Sequence, residues 1–179
     1  MTFSPIIGRI PMEQRFFTPS NAYTPAIAHW VWMLEDTRRR TVEALAGLST
    51  DALEWSLADG NSIGSLLYHI ALIEMSYLYE DILGLGWVAE LQPLLPYDVR
   101  SGDGHLTAVR GESLESHLAR LTACRALLLQ ALGRMDEQDL SRTRQVEGAA
   151  ISPEWAFHHL MQHEAEHRGQ IVEIRAQAG

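Results

Sequence analysis

Cysteine is nearly missing from this chain. Cys124 is the only one in 179 residues, so no disulfide can form within it, and a reducing, cytoplasmic setting is the expectation. Basic residues are also scarce, at 14 Lys and Arg against 23 Asp and Glu. The resulting formal charge of -9 repels phosphate backbones and anionic lipid surfaces, which argues against nucleic acid or a membrane as partner. Long apolar runs are lacking too, and none approaches the roughly 18 to 20 residues needed to cross a bilayer. Between Met1 and Phe17 no basic segment leads into an unbroken apolar stretch, and Pro5 and Pro11 interrupt it, so no secretory signal is expected. No convincing strand-like alternation is found either.

What remains is an ordinary globular composition, 46% apolar and 21% charged. The length suits one domain over 1–179, with a helical bundle over about 25–176 after an irregular segment 1–23. Four helical stretches carry the apolar periodicity. The first starts at Thr24-Pro25, an N-cap followed by proline at the first helical position, and runs to about Leu45 with Ile27, Val31, Leu34, Thr41, Val42 and Leu45 as its buried stripe. A short Thr50 to Trp55 segment follows. Asp59-Gly60-Asn61-Ser62 then punctuates and caps the second helix, Ile63 to about Leu83.

Residues 84–111 hold five glycines and two prolines and form an irregular stretch longer than most helix connections, one suited to covering a site. The third helix, Glu112 to about Gly133, repeats Leu114, Leu118, Leu121, Leu128 and Leu132. The fourth begins at Ser152-Pro153-Glu154 and continues to about Ala176. The fold class is therefore all-α, a four-helix bundle with a long loop between helices two and three. A weak internal echo, residues 44–53 against 131–140, is followed each time by a loop and a serine-capped helix bearing histidine. It would make helices two and four equivalent partners.

Chemistry concentrates in the fourth helix, where His163-Glu164-Ala165-Glu166-His167 sets two imidazoles one turn apart on one face. Leu160, His163, His167, Ile171 and Ile174 advance by three or four, so both histidines lie on the stripe that faces the core. His69 falls on a comparable stripe of the second helix, with Leu66, Ile73 and Tyr77. Taken alone, a histidine on an apolar face is more often a hydrogen-bonded core residue than a ligand. Three inward imidazoles together need partners for their ring nitrogens, and one divalent metal ion supplies them all. His159, four residues before His163, offers a competing third ligand. Glu74, one turn beyond His69, is placed to orient a ligand or to bind the metal directly, although a solvated carboxylate is the simpler reading. His29, His105, His117 and His158 read as surface or packing residues, and Cys124 as a small core hydrophobe.

The segments Asn61-Ser62-Ile63-Gly64-Ser65-Leu66-Leu67-Tyr68-His69-Ile70-Ala71 and His163-Glu164-Ala165-Glu166-His167-Arg168-Gly169-Gln170-Ile171 resemble the DinB-like superfamily of metal-binding four-helix bundles. The likeness spans about Pro25 to Ile174. It implies one divalent ion, zinc or nickel, held by His69, His163 and His167. It also implies relatives that use low-molecular-weight thiols such as bacillithiol, mycothiol or glutathione against small electrophiles in detoxification or stress response, and a homodimer. Trp30, Trp32, Trp55 and Trp87 are candidates for an exposed patch of the kind that joins two copies.

The same five residues also satisfy the His-Glu-x-x-His pattern of zinc peptidases. The twelve residues after His167 hold no histidine, however, and Gly169 falls one position short of the glycine in the extended motif. Three protein ligands leave an open coordination position, as catalytic rather than structural zinc sites do. The expectation is therefore a thiol-dependent S-transferase, with a metal-dependent hydrolase or a non-catalytic metal-binding stress protein as alternatives. Glu164 and Glu166 stand as possible bases beside the ligands.

Overall fold

The computed structural model describes residues 17–56, 60–102, 104–146 and 148–178. Four long helices dominate: α1 (Pro25–Ala44), α3 (Ile63–Ser76), α4 (Leu114–Leu132) and α6 (Pro153–Gln177). Two single-turn helices, α2 (Thr50–Glu54) and α5 (Glu137–Ser141), stand at matching places before α3 and α6. Each begins within one segment of the sequence echo, and they are capped by Ser49 and Asp136, whose side chains satisfy otherwise unpaired N–H groups of the first turn.

Helix starts follow the capping chemistry. Ser62 accepts from Ser65 N, Ser113 from Ser116 N and Ser152 from Trp155 N, each side chain supplying an acceptor to a free amide. Asp59, read as part of the turn before α3, lies outside the described residues, as do 1–16 of the expected irregular N-terminal segment. The second helix is not uniform to Leu83. It is α-helical to Ser76 and continues as a π-helix over Tyr77–Ile82, with Leu83 N bonded to Leu78 O. It stops at Gly84, whose φ is 66°. A Cβ there would meet the Arg144 guanidinium at 2.5 Å, so the positive φ favours glycine and any larger residue would also displace Arg144.

α1 runs alongside α6 in the same direction: Trp30 packs on Phe157 near one end, and Arg175 donates to Ala44 O and Ala46 O at the other. α3 runs against α6, with Tyr77 beside Trp155. The core between them holds Ile27, Leu34, Leu66, Leu67, Met75, Leu121, Leu128, Phe157 and Ile171, all at most 1% exposed. Burying each such side chain contributes roughly 1.5–3 kcal/mol. Val42, placed on the buried stripe of α1 by its spacing, is instead exposed, because Arg38, Thr41 and Leu45 take the inward positions of those turns.

The expectation of no strand needs correcting. β1 (Arg144–Val146) and β2 (Ala149–Ile151) form a short antiparallel hairpin between α5 and α6. Three-residue strands with half-exposed alternation leave too little periodicity to read from sequence. The long stretch 84–111 is tied down by Tyr68, whose hydroxyl donates to Tyr97 O and accepts from Tyr97 N, both at 2.7 Å, and by Val109 N donating to Ser65 Oγ. Among the described residues no helix is long and apolar enough to cross a membrane.

Candidate metal centre

α3 and α6 face each other along inward stripes, and the crossing brings His69 to His163 and His167. The three rings offer one nitrogen each, all within 4.8 Å of one another. His163 Nε2 lies 3.0 Å from His69 Nε2 and 3.0 Å from His167 Nε2. Nitrogens bound to one tetrahedral zinc ion, with bonds of about 2.0–2.1 Å, sit roughly 3.3 Å apart, close to this spacing.

Proton placement sharpens the fit. Gln170 Oε1 lies 2.8 Å from His167 Nδ1, and an amide oxygen only accepts, so the His167 proton sits on Nδ1 and Nε2 turns a lone pair inward. His163 Nε2 carries at most one proton and cannot satisfy two neighbouring nitrogens with it. A cation accepts all three lone pairs at once. Among the described residues His69 Nδ1 is buried with no hydrogen-bond partner, so packing rather than a hydrogen bond of the His167 kind places this ring. Burial, with smaller contributions from His167 and Arg100, pulls the His69 pKa down to about 4. Burial and the neighbouring histidines take His163 to about 3. Both rings are therefore neutral ligand donors at ordinary pH.

His159 does not join this cluster. Its ring stacks on Trp155 with centroids 5.2 Å apart and lies 4.8 Å from Tyr77, while its centroid is 5.9 Å from that of His163. The result is an aromatic shelf leading from the three histidines to the surface, where Trp155 is 47% exposed.

The two flanking carboxylates overturn their sequence readings. Glu74 is not solvated but fully enclosed, and Glu164 is not free to act as a base. Arg38 donates from Nη2 to Glu74 at 2.6 Å and from Nε to Glu164 at 2.8 Å. Arg125 reaches Glu74 through Nε at 2.9 Å and Glu164 through Nη2 at 3.4 Å. Arg38 Nη1 donates to Leu121 O, and Arg125 Nη1 donates to Leu34 O and to Glu35 Oε1 at 3.0 Å, so the buried charges are both paired and hydrogen-bonded. Burial would raise the Glu74 pKa, but Arg125 and Arg38 outweigh it and hold the carboxyl below its usual value. Glu166 points outward and is exposed.

Sequence reasoning passed over Arg38 and Arg125. A signal was present, since Arg38 sits between Leu34 and Thr41 and Arg125 between Leu121 and Leu128, each a charge inside an apolar stripe. Cys124 is buried and burial pushes its thiol up to about 12, so it is a core residue and not a nucleophile.

A family model described as the DinB superfamily matches residues 33–171, which includes all three histidines and both buried arginines. The chain belongs to the DinB superfamily. Its all-α architecture agrees with that membership, and the convergent histidines of this DinB-like chain form a possible metal site. No curated protein matches the sequence.

Proposed function

We propose that this DinB-superfamily protein is a metal-dependent enzyme, a thiol-dependent S-transferase acting on small electrophiles, with one zinc or nickel ion held by His69, His163 and His167. The observation that carries the reading is the convergence of three Nε2 donors from two helices, a set that leaves at least one coordination position for an exogenous ligand. A divalent ion there supplies Lewis acidity, which favours the deprotonated form of a bound thiol or water.

The protein's own groups favour the thiol over the water. Metal-assisted hydrolysis of the His-Glu-x-x-His type requires a free carboxylate next to the ligands as general base. Glu164 occupies that sequence position but is locked between Arg38 and Arg125, and Glu166 faces solvent. A thiol is acidic enough to need no such base once a cation is near. The Trp155, His159 and Tyr77 rings border the site on the exposed side and present flat apolar faces to an unsaturated or aromatic electrophile. The same reading includes a homodimer working in a detoxification or stress role.

The test is turnover. Bacillithiol, mycothiol and glutathione are each offered with a generic electrophile such as a chlorinated bimane or dinitrobenzene, with metal-loaded and chelated protein. Thiol-dependent consumption that falls on chelation supports the transferase. No metal-dependent rate with any of the three thiols removes it and leaves the hydrolase or the non-catalytic metal binder.

A further inference from the structure

A second cavity, of about 410 Å³, lies at the opposite end of α3 from its cap. It opens where the π-helix, the end of α4, α5, β1 and the start of α6 meet, and Leu78 and Pro153 are on its wall. Leu78 is nine residues beyond His69 and Pro153 is ten before His163. At 1.5 Å rise per helical residue the cavity is roughly 13–15 Å from the three histidines. It is thus a separate place on the molecule.

Its lining has two parts. Its accessible apolar part, the floor, is made by Leu83, Leu127 and Met135, over the buried Leu78 and Ile82, and Leu85 at the edge is 64% exposed. The rim carries Arg134, Arg142 and Arg144. Among the described residues the one carboxylate of the lining, Asp139, is already committed. Its Oδ2 accepts from Asp136 N in the cap of α5, and its Oδ1 pairs with Arg142 at 2.8 Å. Arg144 is fixed in place by donating through Nε to Ile82 O and by lying flat over Gly84. Among the described residues the Arg134 guanidinium has no hydrogen-bond or ion-pair partner. A solvated helix-end arginine explains Arg134 alone, but not why two guanidiniums border a pocket that also exposes apolar side chains on a chain of net charge -9.

We propose that this cavity binds a small amphipathic anion, its carboxylate or phosphate head on Arg134 and Arg144 and its hydrocarbon part on the Leu83, Leu127 and Met135 floor. The chemistry follows from the lining: guanidinium forks match planar or tetrahedral oxyanions, and an apolar floor of this size accepts a short alkyl or aryl group. Neither half suffices alone. Inorganic phosphate would gain nothing from the floor, and a neutral alcohol would gain nothing from the rim.

Isothermal titration with octanoate, octyl phosphate, inorganic phosphate and octanol tests this on the whole chain, with metal and after chelation. Saturable one-to-one binding is expected for the first two ligands, at least about tenfold tighter than for the last two, and unchanged by chelation. Comparing octanoate with octyl phosphate identifies the preferred head. Arg134→Glu should weaken binding by roughly tenfold or more, and Arg134→Lys should recover part of it; Arg134 is exposed, so both variants should keep the parent's circular dichroism and melting temperature. Absence of saturable binding overturns the proposal. So does octanol binding as tightly as octanoate, an Arg134→Glu protein that binds like the parent, or binding lost on chelation, which would place the anion at the histidines instead.

Discussion

Glu74 and Glu164 stand on the two helices that carry the histidines, yet share the same two guanidiniums: Arg38 and Arg125 each bridge both carboxylates. α3 and α6 are thereby pinned to one another close to the metal centre by side chains from α1 and α4. Buried ion pairs of this kind are costly to form and costly to break unevenly, since removing one partner leaves a buried charge without compensation. Arg125→Met should therefore destabilise the protein by about 3–5 kcal/mol, read by urea denaturation at neutral pH. A loss under about 1 kcal/mol would mean that water, not Arg125, solvates the two carboxylates.

The metal assignment makes a sharper claim on three residues than on their neighbour. His163→Ala and His167→Ala should each purify without stoichiometric metal, because two imidazoles hold a divalent ion far less tightly than three, whereas His159→Ala should keep it. Elemental analysis of the three variants decides. Full occupancy in either of the first two, or loss in the third, would move the ligand set.

Much of this was legible in advance, and for a physical reason. Helices announce themselves by period and by caps, so Thr24-Pro25, Ser62 and Ser152-Pro153 mark real starts, and the four-residue spacing of His163 and His167 fixes their common face whatever the rest of the chain does. Cross-chain pairings carry no such mark. Nothing near Glu74 in sequence indicates that its partners are 36 and 51 residues away, which is why a buried, doubly bridged carboxylate reads as a solvated one. The β1–β2 hairpin and the π-helix escape for the opposite reason, being too short to establish a period.

A pH effect follows from His117, which is 1% exposed in the core and packs against Gly64. Burial, only partly opposed by Glu112, pulls its pKa to about 4 from an ordinary 6.5. Between those values the unfolded chain binds a proton that the folded chain refuses, so stability falls as pH drops from about 6.5 and levels off below about 4. The slope from this one residue is up to about 1.4 kcal/mol per pH unit. Thermal unfolding of chelated protein across that window, compared with His117→Gln, should show the variant losing less stability toward acid than the parent. Parallel curves would place the proton uptake elsewhere.

The two outer histidines of the proposed site are not held alike, and that difference can be measured. His167 is oriented by Gln170, whose side-chain oxygen takes the Nδ1 proton and leaves Nε2 bare for coordination, whereas His69 has no such partner on Nδ1. Hydrogen bonds of this sort fix the ring's tautomer and angle and raise its basicity, and losing one typically lowers metal affinity 10–100-fold. Gln170→Ala should therefore bind zinc about 10–100 times more weakly in a competition with a chromophoric chelator, while Gln170→Glu, which keeps an oxygen acceptor, should bind at least as tightly as the parent. Gln170 is exposed and on the outer side of α6, so neither change should disturb the melting temperature of the metal-free protein. If Gln170→Ala holds zinc with the parent's affinity, His167 does not depend on this contact for its orientation. If Gln170→Glu is the weaker of the two variants, the added charge acts on α6 and not through the ring, and the tautomer argument falls.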